Sequence, residues 1–305
     1  MNQKVLALVE DLSCSHQLNH LPGSYGGGPL FTKPLMGVSR GNDPIFQEFK
    51  RTVASSHLTP AELWVESGFP DEENIATRLR ILSIVFPYAS RIREGGKSSN
   101  DKKMPTEMYC VARNFANPFI DTVLSESIRC LKLWGFRATA GIHSKAFKIC
   151  LEKDRSRVYS NWSERHIAFS AGVGTFGLHA ALITEAGCNV RLGSIVTDAP
   201  LEVTARESDE PYGNCLHFAK GTCGACTKKC PAVAISDNGH DKYKCFLYGK
   251  RVREEMCGRS LKSVLRASRR KVNDEWITSY PVGCALCQFG VPCTHKNPAK
   301  SCPEH

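Results

Sequence analysis

The chain has 305 residues, 42% of them hydrophobic and 23% charged, with 40 lysines and arginines against 30 carboxylates and a formal net charge of +10. That composition excludes a disordered, collagenous or coiled-coil chain, and the length allows two domains, or one large domain with an appendage. Fifteen cysteines are too sparse for a small disulfide scaffold, yet too many for an ordinary enzyme of a reducing compartment unless some of them bind metal.

In chain order, Met1 to Glu10 carries one lysine and a short apolar run closed by Glu10, too short for the core of an export signal. Gly23 to Gly28 reads as a flexible loop, or as a place where backbone approaches a ligand. Ile81 to Phe86 reads as a strand, and with Arg78, Arg80 and Arg91 around it the segment falls well short of the roughly 18 apolar residues of a membrane span. These features predict a soluble, cytoplasmic protein whose thiols stay free for metal. Asn117 and Pro118 are expected to open a helix with Ile120, Val123, Leu124, Ile128 and Leu131 on one face and Gly135 at its end. Ser163 to Phe169 predicts a helix with a serine start, Leu178 to Glu185 a short helix, and Arg191 to Thr197 a second strand.

The result is an α+β fold whose topology stays open. Five cysteines, at 14, 110, 130, 150 and 188, are scattered through residues 1–205, and ten fall in residues 206–305. The shift places a domain boundary in the polar stretch Thr204 to Pro211. No repeat of solenoid or propeller period is present. Leu261, Val264 and Leu265 with the basic run Arg266 to Lys271 read as an amphipathic helix with a solvated basic face, in preference to a nucleic-acid contact.

The C-terminal cysteines carry the chemistry. They read Cys215-x7-Cys223-x2-Cys226-x3-Cys230-Pro231, then Cys245, then Cys284-x2-Cys287-x5-Cys293. Soft thiolates two residues apart grip one centre from a tight turn, and in two-cluster ferredoxins the fourth cysteine of a run serves the other cluster. By that logic Cys215, Cys223, Cys226 and Cys293 hold one [4Fe–4S] cluster, and Cys230, Cys245, Cys284 and Cys287 hold a second. Lys220 stands where the first cysteine of the usual run would be, and Cys215 substitutes for it. A single zinc on the two Cys-x2-Cys pairs would leave Cys215, Cys230, Cys245 and Cys293 unexplained. Cys257, Cys302 and the five N-terminal cysteines read as small buried hydrophobes. With two clusters in place, each carrying about −2 with its ligands, the net charge falls to roughly +6.

Gly172-Val173-Gly174-Thr175-Phe176-Gly177 matches a dinucleotide fingerprint, with Asp198 beyond it. The strand that should precede it is replaced by the helix at 163–169, so the motif reads as a tight glycine turn packed against some other ligand.

Three stretches resemble a family, the cobalamin-dependent iron–sulfur reductases that include epoxyqueuosine reductase and the reductive dehalogenases. They are Glu164-Arg165 followed by Ala171 to Gly177; Gly193 to Leu201; and the cysteine set with Lys244-Cys245 and Gly283 to Gln288. The likeness covers about residues 150–295, and is weaker at Pro34 to Val38 and Asp43 to Phe46. It implies a nitroreductase-like corrinoid-binding domain over 1–205 and a ferredoxin-like domain with two [4Fe–4S] clusters over 206–305. A low-potential donor of ferredoxin or flavodoxin type would feed cobalt, which would reduce a small organic or nucleoside-like substrate. Gly172, Gly174 and Gly177 are expected near the corrinoid, with Ser194 and Thr197 as partners for its amides. Two departures stand out: the second run ends Cys293-Thr294-His295 without a Cys-Pro-Trp, and Val158 occupies the position of the family's proton-donating aspartate. Tyr159, water on Asn161, or Glu164 must then supply the proton, with Tyr159 preferred. No twin-arginine leader precedes the chain, as expected of a cytoplasmic relative. The alternatives are a redox partner that reduces a corrinoid held by another protein, and a zinc-dependent nucleic-acid module resting only on charge and the Cys-x2-Cys pairs.

Overall fold

Arg80 to Pro87 is apolar on both sides of its pleat, which demands a strand covered on both faces. The computed structural model describes residues 1–97, 103–152, 154, 157–206, 209–258 and 261–300. The first part contains α1 (Asn2–Ser15), β1 (Leu35–Arg40), α2 (Ile45–Thr52), α3 (Pro60–Glu66), α4 (Ile75–Arg78), β2 (Arg80–Pro87), α5 (Ser90–Lys97) and α6 (Glu107–Leu133). After these come β3 (Ala138–Ala140), β4 (Ile149–Leu151), β5 (Val158–Ser160), α7 (Glu164–Ser170), β6 (Thr175–Phe176), β7 (Leu182–Ile183) and β8 (Val190–Thr197). The last part holds α8 (Leu216–Lys220), α9 (Ala225–Lys229), β9 (Ile235–Ser236), β10 (Gly239–His240), α10 (Lys242–Gly258), β11 (Ser268–Val272) and β12 (Glu275–Ser279).

The main sheet has the order β1-β2-β8-β3 with every neighbouring pair antiparallel. Because strand side chains alternate between faces, Leu82, Ile84 and Phe86 of β2 join one core with Phe119, Ile120, Val123 and Leu124 of α6, whereas Ile81 and Val85 join a second with Ile167 and Ala168 of α7. The expected strands at 81–86 and 191–197 are therefore the two central strands, and the α+β class holds. Gly193 faces α6, where a Cβ would stand 3.2 Å from Leu124 Cδ2.

Three expected elements differ. The long helix starts at Glu107, ten residues before Asn117, because the Thr106 hydroxyl accepts from Tyr109 N (3.3 Å) as its cap. Pro118 lies inside it, tolerated because Val111, Phe115 and Phe119 extend one buried face across it. Gly135, at φ +90°, follows its end as expected. Leu178 to Glu185 is no helix: β6 and β7 pair as a hairpin through a turn in which Gly177 N donates to Ala181 O (2.9 Å) and Ala180 sits at φ +56°. The basic run 266–271 is likewise not helical. Ser268–Val272 pairs with β12 across a turn at Asn273 and Asp274, both of positive φ, a geometry that favours such residues.

A second sheet has the order β12-β11-β4-β5 and joins strands from both sides of residue 205. Val252, Met256, Leu261, Leu265 and Phe289 also enter the α6 core. Main-chain pairing and apolar packing thus cross the expected boundary. Cys14 is exposed and Cys130 half-buried, unlike the buried hydrophobes they were read as, whereas Cys110, Cys150 and Cys188 are buried. Cys302 lies outside the described residues. No helix among the described residues is long and apolar enough to cross a membrane.

Candidate metal centre and adjoining cavity

Each of the eight cysteines expected as ligands is presented by a short turn or a helix end. Cys215 caps α8, which stops at Gly221 in the left-handed region. Cys226 lies in the first turn of α9, and Cys230 ends that helix before Pro231. Cys245 sits in the first turn of α10. Ala285, at φ +47°, kinks the chain between Cys284 and Cys287.

These turns bring the eight thiols into two neighbouring groups of four. Cys215, Cys223, Cys226 and Cys293 line one small chamber with His179, Ile183 and Leu178. Cys230, Cys245, Cys284 and Cys287 form the other, in which burial first, and then the like neighbours Cys245 and Cys230, push the Cys284 thiol up to about 12. Cys287 is raised well above its ordinary value by burial and by Cys284, Cys245, Cys230 and then Cys226, so it also senses a thiol of the first group. The two Cys-x2-Cys pairs fall in different groups, so a single zinc held by both pairs is not what the chain assembles. Four thiols per group is the donor set of a cubane cluster, and crowding of protonated thiols in a dry site is relieved when a metal takes their charge.

Beside the second group opens a cavity of about 790 Å³ between α2, α7, the β6–β7 turn and the β9–β10 hairpin. Arg165, His166, His240 and Lys242 face it together with Phe49, Phe176, Tyr212 and Phe218. Burial lowers Arg165, with Cys245 acting in the opposite direction, which places that guanidinium beside the second thiol group. Arg165 also donates to Ala180 O in the hairpin turn. Burial, followed by the Arg165 and Lys242 charges, holds His240 at about 4, so this imidazole is neutral at physiological pH. Arg165 and Lys242 share the cavity's positive charge with Arg51, paired to Glu48, and Arg206, paired to Asp43 and Asp209.

Glu164, at the start of α7, faces a buried polar wall. Burial pushes Glu164 up to about 7 against the opposing pull of the Ser194 hydroxyl, Arg191 and His143, and neither of its buried carboxyl oxygens meets a donor at hydrogen-bonding geometry. Asn117 Oδ1 accepts from both Arg113 Nη1 and Arg191 Nη2, each at 3.0 Å. Burial, then the like charge of Arg113, lowers Arg191 to about 10. Tyr88 Oη, Arg191 Nε, Asn117 Nδ2 and both polar atoms of the Asn189 side chain are buried without a partner among the described residues. Arg113 packs against Gly283, one residue before Cys284, so this wall also adjoins the second thiol group. Orphaned buried donors are costly, about 1–3 kcal/mol each, unless a ligand satisfies them. A large flat cofactor bearing amides and a negative charge fits such donors and the basic, aromatic cavity.

The remaining expected residues are placed differently. Tyr159 lies on the edge strand β5, opposite Cys150 and under Arg157 at 5.6 Å, whereas Glu164 lies inside. Of the glycines, Gly177 lines the large cavity, and Gly172 and Gly174 open onto a separate recess with Gly37 and Ala205. Their lack of a side chain serves the fold itself, because a Cβ on Gly174 would stand 2.5 Å from Ile183 O and one on Gly177 2.6 Å from His179 Cε1. Ser194 Oγ accepts from Trp162 Nε1 (2.9 Å) and stands near Glu164. The Thr197 hydroxyl donates to Arg137 O (2.7 Å) and accepts from Ala199 N (3.1 Å), so it is spent on ending β8. The sequence reading missed His179, Cys188, Arg113, Asn117 and Arg191. Of these only His179 carried a signal, two residues beyond Gly177 in the same turn.

No family model matches the chain. The epoxyqueuosine reductase of Aliivibrio fischeri (strain ATCC 700601 / ES114) is 38% identical over 212 residues, covering 64% of this chain and 51% of that protein. Among solved structures, an epoxyqueuosine reductase with an epoxyqueuosine-modified tRNA-Tyr stem loop matches with a TM-score of 0.51 at 14% identity, over 100% of this chain and 66% of that one. The epoxyqueuosine reductase of Streptococcus thermophilus matches with a TM-score of 0.50 at 14% identity, over 98% and 68%. At that identity the structural likeness speaks for the fold. The chain is thus similar in sequence to epoxyqueuosine reductase, as its motifs imply, shares that fold, and spans about half the length of the curated relative it matches.

Proposed function

We propose that the chain is a corrinoid-dependent iron–sulfur oxidoreductase. Cys215, Cys223, Cys226 and Cys293 would hold one [4Fe–4S] cluster, and Cys230, Cys245, Cys284 and Cys287 the other. The carrying observation is that eight thiols converge in two adjacent groups of four, one of which borders both the basic cavity at Arg165 and the polar wall at Arg113. Once bound, the clusters supply low-potential electrons and a corrinoid supplies a strongly reducing cobalt centre. Residues 1–205 contribute the polar wall and one side of the cavity, and 206–305 contribute its other side, with Tyr212, Phe218, His240 and Lys242, and all eight thiol ligands.

The chain's own residues then do four things. Arg165 and Lys242 bind the anionic part of a ligand, and Phe176 and Tyr212 offer flat apolar surface to it. Arg113, Arg191 and Asn117 donate to its polar periphery, with Ser194 close by. Gly177, on the cavity's rim, makes room for the His179 ring behind it. Glu164 holds a proton at its carboxyl near neutral pH, where a general acid is most useful, and is a better donor than the edge-strand Tyr159. A low-potential ferredoxin- or flavodoxin-type donor and a small organic or nucleoside-like substrate suit this arrangement. The β11–β12 hairpin bears Arg269 over the exposed Trp276 ring at 5.1 Å, and this basic-aromatic surface supports a nucleoside carried within RNA over the purely solvated face read from the sequence.

The test is anaerobic purification with iron, sulfide and cobalt analysis, followed by titration of cob(II)alamin monitored by electron paramagnetic resonance. About eight irons per chain and a spectrum lacking lower-axial nitrogen are expected from two four-iron clusters and a base-off corrinoid. Four irons or fewer, or no corrinoid binding at micromolar concentration, would overturn the reading.

A further inference from the structure

His179 is buried, 4% exposed, in the turn between β6 and β7. Its Nδ1 accepts from Ala181 N at 3.1 Å. An imidazole nitrogen that accepts carries no proton, so the neutral ring must bear its hydrogen on Nε2. Nε2 lies 3.4 Å from Cys293 Sγ, within the reach of an N–H···S hydrogen bond. Nothing else in the turn fills that place, because Gly177 lacks the Cβ that would stand 2.9 Å from His179 Nδ1. The glycine turn, the tautomer and the thiol are therefore one construction: backbone selects the proton position, and the glycine makes room for the ring. Cys188 reinforces it, since its sulfur, Cys293 Sγ and a His179 nitrogen all lie within 4.8 Å of one another, and Cys188 N donates to Cys293 O at 2.7 Å.

We propose that His179 is a positioning residue of the first thiol group, donating Nε2–H to the Cys293 sulfur and setting the reduction potential of the cluster that Cys215, Cys223, Cys226 and Cys293 hold. The proposal rests on the two-cluster reading above. A hydrogen bond to a ligand sulfur stabilises the added electron more than the oxidised cluster, because the sulfur carries more negative charge after reduction. His179 donates one bond, and no covalent change is involved.

The experiment is a redox titration of the anaerobically purified protein, followed by electron paramagnetic resonance, for wild type, His179→Phe and His179→Gln, with iron and sulfide determined on each. His179→Phe is expected to shift one cluster's reduction equilibrium at least tenfold toward the oxidised form, which is 59 mV for a one-electron couple. The other cluster should stay unchanged. His179→Gln, whose amide can donate from a similar place, should recover most of the shift. An unchanged potential in an iron-replete His179→Phe protein overturns the proposal. Should that variant lose its iron, pulsed resonance of the wild type with isotopically labelled histidine decides. A weak coupling of one histidine nitrogen to a reduced cluster supports the hydrogen bond, whereas no coupling, or the strong coupling of a directly bound nitrogen, overturns it. Failure of the two-cluster reading is recognised separately, by a wild type that holds four irons or fewer.

Discussion

Replacing Glu164 by glutamine removes one proton site and keeps the size of the side chain. Burial raises the wild-type carboxyl from 4.5 to about 7 in the folded protein. An acid with a raised folded value is bound to its proton more tightly in the folded state, so folding is penalised once the unfolded chain has ionised. Below about pH 4.5 the carboxyl is protonated in both states and contributes no pH dependence. Between about pH 4.5 and 7 the wild type loses stability, and above that the loss is complete, at about 3 kcal/mol from 1.36 kcal/mol per unit. The glutamine variant does not titrate there. Anaerobic urea denaturation of both proteins at about pH 4.5 and about pH 8 should therefore show the variant gaining about 3 kcal/mol over wild type across that interval. A difference between the two proteins that stays constant within about 0.5 kcal/mol would refute the reasoning, and would mean that Glu164 is ionised against Arg191 throughout. In that case it could not donate a proton at neutral pH.

Further outcomes are expected from other positions. Cys215→Ser and Cys284→Ser should each lower the iron content from about eight to about four per chain, measured after anaerobic reconstitution, because each removes one ligand of a different cubane. Glu164→Gln should reduce turnover of a competent substrate by about a hundredfold or more, whereas Tyr159→Phe should stay within about threefold, read from single-turnover rates. Arg191→Met should weaken cob(II)alamin binding at least tenfold in a titration followed by absorbance, because about 1.5–3 kcal/mol attaches to a hydrogen bond from a charged donor. Gly174→Ala should lower the thermal midpoint, since its Cβ would meet the Ile183 carbonyl at 2.5 Å and overpacking costs about 1–3 kcal/mol.

The strand at 81–86 was legible because a strand covered on both faces must be apolar on both, and the one at 191–197 from its β-branched residues, both of them local properties of the sequence. The eight thiols were legible for a similar reason: short-range spacing decides which cysteines a single turn can aim at one point. Spacing also anticipated the grouping of Cys293 with Cys215, although the chain between them runs through α9, α10 and the β11–β12 hairpin. Other features belonged to the tertiary structure. Thr106 rather than Asn117 starts α6, because the apolar face that decides its length packs on β2 and β8, strands distant in sequence. The basic run 266–271 became a strand because β4 offers an edge to Val272, an edge that hydrophobic periodicity within the run does not reveal. The domain boundary near 205 marks a change in cysteine density and not a break in the core, since Met256 and Phe289 pack with α6. The polar wall of Arg113, Asn117, Arg191 and Glu164 had no motif, because its members come from a helix, a strand and a second helix and gain their meaning only where folding excludes water. Glu164 has an ordinary carboxylate's chemistry in the sequence, and becomes an acid poised near neutrality through burial alone.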